Sequence, residues 1–189
     1  MKYYKLIYDF ENSDEWINCI QYNSDHLDEY FILEGKKQEN WKSPYFDYDS
    51  KDGRILSDFV GNIYGWPIVS LAGANLLKSI VTNTSIQLLP IMLRDKQNKG
   101  QEVECFIINI LNLAEDAFDY DHSQYTFFEL DDEKILSVTH YSLISKRISD
   151  FDIFRISENP VAVFVSELVK NKIKQTELTG FDFVEVKTY

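Results

Sequence analysis

The chain has 189 residues, a formal net charge of −12 and a sequence pI near 4.6. This length suits a single domain or a small lobe packed on a larger one, and 44% hydrophobic residues are enough to form a core. The negative charge argues against a protein that binds nucleic acid or an anionic membrane, because both surfaces would repel it at long range.

The N-terminal residues do not resemble a signal peptide or a membrane anchor. Charges at Lys2, Lys5 and Asp9 interrupt the apolar residues, and no segment approaches the ~20 apolar residues of a membrane span. We therefore expect a cytoplasmic protein that does not bind membranes. Cys19 and Cys105 are far apart and each lies in an apolar run, so we expect two buried thiols rather than a disulfide framework.

The first third of the chain predicts two strands and a long connection. Residues 3–10 and 29–33 are rich in Tyr, Phe, Ile and Leu, which favours strands. Periodicity is lost over residues 34–53, a polar stretch with aromatic residues, Gly and Pro that we interpret as a long connection. We therefore predict an N-terminal unit at residues 1–56, containing these strands and the acidic, aromatic connection, packed on a main domain at residues 57–189.

A strand and a helix open the predicted main domain. Residues 66–69 form an apolar strand that ends at Ser70, and Ser is a favoured N-cap because its hydroxyl accepts from backbone N–H groups. Apolar residues then recur every three or four positions, as in an amphipathic helix, at Leu71, Ala74, Leu77 and Val81.

A hairpin is predicted next. Residues 85–93 and 103–111 are apolar strand runs joined by a polar turn at residues 95–100. Pro90 cannot donate a backbone hydrogen bond, so it predicts a sheet edge or a bulge.

The C-terminal part repeats the strand and helix pattern. A strand at residues 161–165 ends at the predicted cap Ser166, and Glu167 favours the positive end of the following helix. We place Leu168, Val169 and Ile173 on the buried side of this helix, end it at residues 178–180 and predict a last strand at residues 181–186. Two units with Val-Ser before a helix indicate either a degenerate duplication or the preference of short βαβ units for a Ser cap.

These elements predict an α+β fold. We expect a mixed, largely antiparallel sheet with two or more short amphipathic helices that follow Val-Ser strand ends.

The negative charge is concentrated in one window of the sequence. Residues 101–133 contain ten acids and no Lys or Arg. One interpretation is a solvated surface that keeps the protein soluble, and another is an electrostatic landing site for a basic protein. The ten acids are Glu102, Glu104, Glu115, Asp116, Asp119, Asp121, Glu129, Asp131, Asp132 and Glu133.

A second candidate for recognition is the aromatic part of the long connection. Here aromatic residues (Trp41, Tyr45, Phe46 and Tyr48) are interleaved with acids (Asp47, Asp49 and Asp52). Tyr and Trp provide large contact area at low entropic cost, and acids beside them pair with Lys or Arg of a partner. The alternative is that these aromatic side chains fold back as a small satellite core.

One segment contains the residue types of a hydrolase site. Asp119, Asp121, His122 and Ser123 supply acid, base and nucleophile types, which allows a small hydrolase as an alternative function. Neighbours in sequence do not by themselves form a triad, and a turn is the favoured interpretation. His26, His122 and His140 lack the spacing of a hydrolytic zinc site, so we expect neither a metal nor another cofactor.

A set of short motifs in fixed order resembles a known family. In chain order they are Asp58-Phe59, Pro67-Ile68-Val69-Ser70, Leu88-Leu89-Pro90-Ile91, Ile108-Asn109-Ile110-Leu111, residues 119–123, Ile153-Phe154-Arg155-Ile156, Val163-Phe164-Val165-Ser166 and Leu178-Thr179-Gly180-Phe181. Their order and spacing resemble an immunity-protein family of bacterial polymorphic toxin systems, numbered eleven among the immunity families and formerly a domain of unknown function. The resemblance covers roughly residues 57–189.

The resemblance implies a small cytoplasmic binding protein, made beside a secreted toxin, that blocks the toxin in the producing cell. It implies no catalytic residues, and it assigns structural roles to Ser70 and Ser166 as caps, Phe154 in the core and Gly180 as a helix stop. Inhibition would be stoichiometric, by covering the active site of the toxin or by trapping an incompetent form. An interaction protein without a toxin stays an alternative.

We therefore predict an antitoxin with a basic toxin as its partner, and a nuclease is our first candidate for that toxin, because proteins that approach phosphate are commonly basic. The candidate toxin-binding residues are Trp41, Tyr45, Asp47, Tyr48, Asp49, Glu115, Asp116, Asp119, Asp121, Asp131 and Asp132.

Overall fold

A computed structural model of the chain describes residues 1–11, 13–23, 30–98, 100–130 and 133–189. Within these residues the fold is mostly β, with fifteen strands, three α-helices and one 3-10 helix. The strands are β1 (Tyr3–Tyr8), β2 (Asn18–Cys19), β3 (Gln21–Asn23), β4 (Tyr45–Tyr48), β5 (Phe59–Asn62), β6 (Ile68–Ser70), β7 (Ile86–Asp95), β8 (Glu102–Ile110), β9 (Leu113–Ala114), β10 (Gln124–Leu130), β11 (Glu133–His140), β12 (Ser142–Leu143), β13 (Ile153–Ile156), β14 (Asn159–Ser166) and β15 (Phe181–Thr188). The helices are α1 (Leu71–Ile80), α2 (Ser145–Ile148) and α3 (Glu167–Lys174), and the 3-10 helix is Phe31–Leu33.

The strands form two mixed sheets and one separate hairpin. The six-stranded sheet has the order β12-β15-β1-β14-β13-β9, and the seven-stranded sheet has the order β2-β5-β6-β8-β7-β4-β3. Most pairs are antiparallel, but β2 with β5, β4 with β7, β9 with β13 and β12 with β15 are parallel. Strands β10 and β11 pair with each other as a two-stranded sheet.

The core lies in three layers because the central strands of both sheets are buried on both faces. In β14, Val163 and Val165 pack into a central cluster with α1 and α3, whereas Phe164 packs on the opposite face in a cluster around Phe154. In β8, Ile108 faces the central cluster and Ile107 belongs to a third cluster around Trp66. Burial on both faces explains why β8 and β14 are continuous apolar runs rather than alternating ones.

Helices α1 and α3 begin in the same way. The hydroxyl of Ser70 accepts from the N–H of Gly73, and that of Ser166 accepts from the N–H of Val169, as N-caps do. Each hydroxyl also donates to an aspartate at the start of the preceding hairpin, Ser70 to Asp58 and Ser166 to Asp152, both at 2.6 Å. The two units therefore share an Asp–Ser pair as well as the cap.

Two predictions for the N-terminal third are wrong. Residues 31–33 form the 3-10 helix instead of a strand, because the apolar run is too short to define a period and Gly35, with φ of +66°, reverses the chain after it; residue 29 lies outside the described residues. Residues 34–53 contain the strand β4 rather than only a connection. The pairing of β4 with β7 overrides the weak periodicity of its sequence.

Three further details differ from the predictions. Leu168 of α3 and Leu71 of α1 are exposed, although Val169, Ile173, Ala74 and Leu77 are buried as predicted. Helix α3 ends at Lys174, so Gly180 is not its stop. Instead Gly180 has φ of +85°, and a Cβ there would lie 2.3 Å from the carbonyl oxygen of Phe59, so this glycine allows the chain to pass close to β5.

Several sequence predictions are confirmed. Strand β1, the β7–β8 hairpin and the final strand are present, and Phe154, Cys19 and Cys105 are fully buried. Pro90 lies in the part of β7 that precedes the pairing with β4, so β7 is a sheet edge in this part only. The carbonyl of Pro90 accepts from the side chains of Trp41 and Ser43. The division of the chain at residue 56 stays a prediction.

Candidate functional site

An apolar groove of about 730 Å³ lies where the two sheets meet. One side is built by β1 and β14 of the six-stranded sheet and another by β5 of the seven-stranded sheet, and the β10–β11 hairpin closes it. Gly61 of β5 lets the sheets approach closely, because a Cβ there would lie 3.0 Å from the ring of Tyr8. The apolar lining includes Leu6, Tyr8, Phe59, Val60, Phe128, Ile135, Leu136, Tyr141, Pro160 and Val161.

The hairpin that closes the groove combines packed and partly exposed side chains. Tyr125, Leu136 and Val138 pack against the cluster around Phe154. Phe127, which pairs with Leu136, and Phe128 are 43% and 49% exposed. Successive residues of a strand point to opposite faces, and Phe128 is the one that lines the groove. A half-exposed aromatic side chain in the wall of an apolar groove is suited to contact another protein.

Few charged side chains line the groove. They are Lys5, Lys134 and Glu158. The ammonium group of Lys5 lies 5.1 Å from the centre of the Tyr141 ring, and burial lowers the pKa of Lys5. Burial also raises the pKa of Tyr141 to about 12. The interior of the groove is therefore mainly apolar, in contrast to the acidic character of the whole chain.

A second cavity of about 260 Å³ adjoins the groove and shares Gly65, Trp66 and Val161 with it. Its charged lining residue is Arg155, which lies on β13 and is 1% exposed. Burial lowers the pKa of Arg155 to about 10, so the guanidinium stays protonated at neutral pH.

The aromatic residues of the predicted recognition segment are mostly part of the core. Phe46 and Tyr48 are buried in the cluster around Trp66, and Trp41 packs against that cluster while its Nε1 donates to the carbonyl of Pro90 at 2.8 Å. Burial raises the pKa of Tyr48. The satellite core that was the alternative interpretation is therefore present, and Tyr45 is the exposed aromatic side chain of this segment.

The acids of this segment have partners within the chain. Asp47 is buried and binds Arg94, with Oδ1 to Nε at 2.9 Å and Oδ2 to Nη2 at 3.3 Å. Asp49 accepts from the backbone of Lys51 and from Nε2 of Gln97, both at 2.9 Å. The Arg94 guanidinium also lies over the ring of Tyr45, 5.0 Å from its centre.

Residues 119–123 form a turn held by local hydrogen bonds. Buried Asp119 accepts from the backbone N–H groups of Asp121 and His122 and lies 2.8 Å from Nδ1 of His122. Ser123 Oγ instead exchanges hydrogen bonds with the backbone of Ser142, at 2.9 and 3.2 Å. The His122 ring stacks on Tyr189 at 3.9 Å. Asp119 and His122 are therefore paired as in a hydrolase site, but the hydroxyl of Ser123 binds the backbone of Ser142.

The acidic window is divided among different parts of the surface. Glu102 begins β8, whose ends are separated by roughly 27 Å at about 3.4 Å per residue, and Glu115 and Asp116 follow its other end. Glu115, Asp116 and Asp121 are exposed, and Asp116 lies 3.4 Å from Arg147. Glu129 is an exposed residue of the hairpin, while Asp131 and Asp132 lie outside the described residues.

Both cysteines lie in the cluster around Trp66, where burial raises the pKa of Cys19 and raises that of Cys105 to about 12. In the described parts of the chain, no cluster of three or more His, Cys, Asp or Glu side chains is arranged to hold a metal ion. The helices described here are too short or too polar to cross a bilayer.

The sequence interpretation missed the groove, the exposed hairpin and Arg155. The pair Phe127 and Phe128 within a polar and acidic stretch was the available signal for the hairpin. The groove has no such signal, because it is formed by strands from both ends of the chain.

The comparison with known families decides the assignment: the sequence matches the family described as "Immunity protein family (Imm11)" over residues 2–188. The chain belongs to this immunity protein family. The match includes the N-terminal residues, which the resemblance seen in the sequence did not cover. A search of curated proteins finds no match. Membership implies a cognate toxin as the partner of this Imm11 protein.

Proposed function

We propose that this Imm11 protein neutralises its cognate toxin in the cytoplasm by stoichiometric binding through the groove and the β10–β11 hairpin. The observation that carries this proposal is a large apolar groove whose wall bears half-exposed Phe128. Apolar anchors at the centre of an interface, surrounded by polar residues, supply most of the binding free energy in protein complexes.

The geometry of the hairpin supports this contact surface. Within the described residues, β10 and β11 pair only with each other, so neither has a second strand partner, although the carbonyl of Leu136 in β11 accepts from Nδ2 of Asn159 at 3.3 Å. A toxin segment can therefore bind along the hairpin with its backbone and place an apolar side chain in the groove.

The charge distribution supports a basic toxin, and a nuclease in particular. The net charge of −12 attracts a basic protein at long range, and Glu129 is an exposed acid of the hairpin, next in sequence to the groove residue Phe128. Nucleases that approach phosphate are commonly basic. On this proposal the acids accelerate encounter, and the apolar groove determines how long the complex persists.

The test is a matched pair of charge substitutions. Phe128→Glu introduces a negative charge at the groove, and Leu168→Glu introduces the same charge on α3 at a residue of similar exposure, 47% compared with 49%. We expect Phe128→Glu to weaken toxin binding about 30-fold or more, as loss of a central anchor does. Leu168→Glu should bind the toxin like the wild type.

Binding is measured by calorimetry with the purified toxin domain, and protection by growth of cells that co-express both proteins. Thermal unfolding of both variants shows whether each is folded. If folded Phe128→Glu binds and protects as well as the wild type, the groove is not the toxin-binding surface. If the wild type forms no complex with the neighbouring toxin, stoichiometric neutralisation is wrong.

A further inference from the structure

Arg155 is a buried cation whose hydrogen-bonding capacity is only partly used. Its Nη1 donates to the carbonyl oxygens of Pro160 and Val161, the latter at 2.7 Å. Its Nε and Nη2 are buried and have no hydrogen-bond partner among the residues that the structure describes. Buried polar groups in native proteins are nearly always paired, so two vacant donors on one buried cation require an explanation.

Arg94 provides a direct comparison within the same molecule. Arg94 uses its Nε and Nη2 to hold both carboxylate oxygens of Asp47. These are the two nitrogens that Arg155 leaves without an acceptor. The pair forms one edge of the planar guanidinium and matches the spacing of the two oxygens of a carboxylate. The hydrogen bond with Asp47 raises the pKa of Arg94, whereas burial lowers that of Arg155.

The cavity beside Arg155 has the shape and lining of a small binding pocket. Three of its lining residues, Tyr30, Ile63 and Val161, are exposed, while Arg155 and Trp66 are buried. The other lining is aliphatic or aromatic, with Ile32, Leu33 and Tyr64. An apolar pocket whose charged group, among the described lining residues, is one buried cation selects a ligand that has an apolar body and a negative head group.

We infer that this pocket binds a carboxylate through Nε and Nη2 of Arg155. Both nitrogens are buried in the free protein, so the exposed lining side chains Tyr30 and Ile63 move aside when the ligand enters. The pocket shares Gly65, Trp66 and Val161 with the groove, so a protein bound in the groove can extend an Asp or Glu side chain into it. The toxin as the source of the carboxylate rests on the proposed function. The pocket as a carboxylate site does not, because it follows from the geometry of the free protein.

The first experiment follows the arginine Nε–H signals of the free protein by NMR while sodium acetate is added. The chain has four arginines, which makes these signals few enough to assign by substitution. We expect a saturable shift of the Arg155 signal and no shift of the Arg94 signal, whose donors already hold Asp47. Sodium chloride at equal ionic strength is the control. A pocket that holds only water gives no saturable response to acetate, and that result overturns the inference.

The second experiment measures toxin affinity for the wild type, Arg155→Lys and Arg155→Met. Lys keeps the charge but cannot form the two-pronged contact, and Met keeps the packing without the charge. We expect both variants to bind the toxin about 30-fold or more weakly, the usual consequence of breaking a buried charge pair. Both variants change the donor to the carbonyls of Pro160 and Val161, so thermal unfolding of the free protein is measured beside the affinity, and the comparison uses the variants that are folded.

The outcomes separate this inference from the proposed function. An acetate response with unchanged toxin affinity in folded Arg155→Lys overturns the toxin as the source and identifies a site for a small free carboxylate. If acetate gives no response, and the Arg155 variants bind the toxin as tightly as the wild type does, the inference is overturned and the proposed function stays intact. A wild type that binds no toxin refutes the proposed function, and the acetate titration still decides the pocket.

Discussion

Two segments of this protein have similar sequences and opposite exposure. Residues 41–49 and residues 124–133 both combine aromatic residues with acids, and both contain a strand. In the first segment Phe46 and Tyr48 are buried and Asp47 binds Arg94. In the second, Phe127 and Phe128 are nearly half exposed. Composition therefore does not distinguish a core strand from a binding surface.

The neighbours of each strand account for the difference. Strand β4 lies between β7 and β3 in the seven-stranded sheet, so its backbone is paired on both sides. Strands β10 and β11 pair with each other and contact the cluster around Phe154 through Tyr125, Leu136 and Val138. The arginines near the two segments differ in the same way. Arg94, next to β4, donates to the carboxylate of Asp47, whereas two nitrogens of Arg155 have no acceptor among the described residues.

The largest expected effect separates the two segments by stability. Phe46→Ala should lower the free energy of unfolding by about 3–5 kcal/mol, because a fully buried ring leaves a cavity. Phe128→Ala should lower it by under about 1 kcal/mol, because its ring is half exposed. Urea unfolding of both variants measures the difference. Equal losses would mean that the hairpin is packed as tightly as β4.

A smaller effect is expected for the hydrogen bond of Trp41. Trp41→Phe removes the bond from Nε1 to the carbonyl of Pro90, which keeps its bond from the Ser43 hydroxyl, and should cost about 1–2 kcal/mol because one hydrogen bond and part of the ring contact area are lost. Phe127→Leu in the hairpin is the matched control, with a change within about 0.5 kcal/mol. A Trp41→Phe protein as stable as the control would show that this bond does not hold the connection in place.

The buried thiol of Cys105 is expected to make the folded protein less stable at alkaline pH. The pKa of Cys105 rises from 9.0 to about 12 on folding, so the folded state keeps a proton that the unfolded chain releases. The contribution of this thiol to the free energy of unfolding is fully present below pH 9 and is lost as the pH rises towards 12. By pH 10 the loss is about 1 kcal/mol. Urea unfolding of the wild type and Cys105→Ala between about pH 8 and 10, roughly one unit either side of the ordinary pKa of a thiol, measures this. The variant should lose less stability over that range, and parallel curves would contradict the assignment.

The smallest effect concerns salt and the rate of toxin binding. If the acids of the hairpin attract a basic toxin, the association rate constant should fall severalfold as ionic strength rises, while the dissociation rate constant changes little. Glu129→Gln should reduce this salt dependence, and Asp49→Asn, whose carboxylate binds Gln97 within the chain, should not. Stopped-flow measurements at several salt concentrations test it. An association rate independent of salt would leave the acids as a solubility feature only.

Local signals predicted much of the fold. Ser70 and Ser166 were identifiable as caps, and the apolar runs of β8 and β14 were identifiable as strands, because hydrogen-bonding chemistry and hydrophobicity act within a few residues. The strand β4 was missed since its alternation is broken by Asp47, whose burial depends on an arginine 47 positions away. The candidate site was largely missed for the same reason, since the groove brings together β1, β5, β11 and β14.

The sequence by itself determined the negative charge, the two Ser-capped helices, the buried thiols and the resemblance to an immunity family, because each depends on composition or on short-range order. Only the tertiary structure decided which aromatic residues are buried, that the acidic window is spread over the surface, and that Arg155 lies at the end of a pocket with two vacant donors. The physical reason is that burial and pairing are set by contacts between distant segments. Those contacts form when the two sheets pack on α1 and α3.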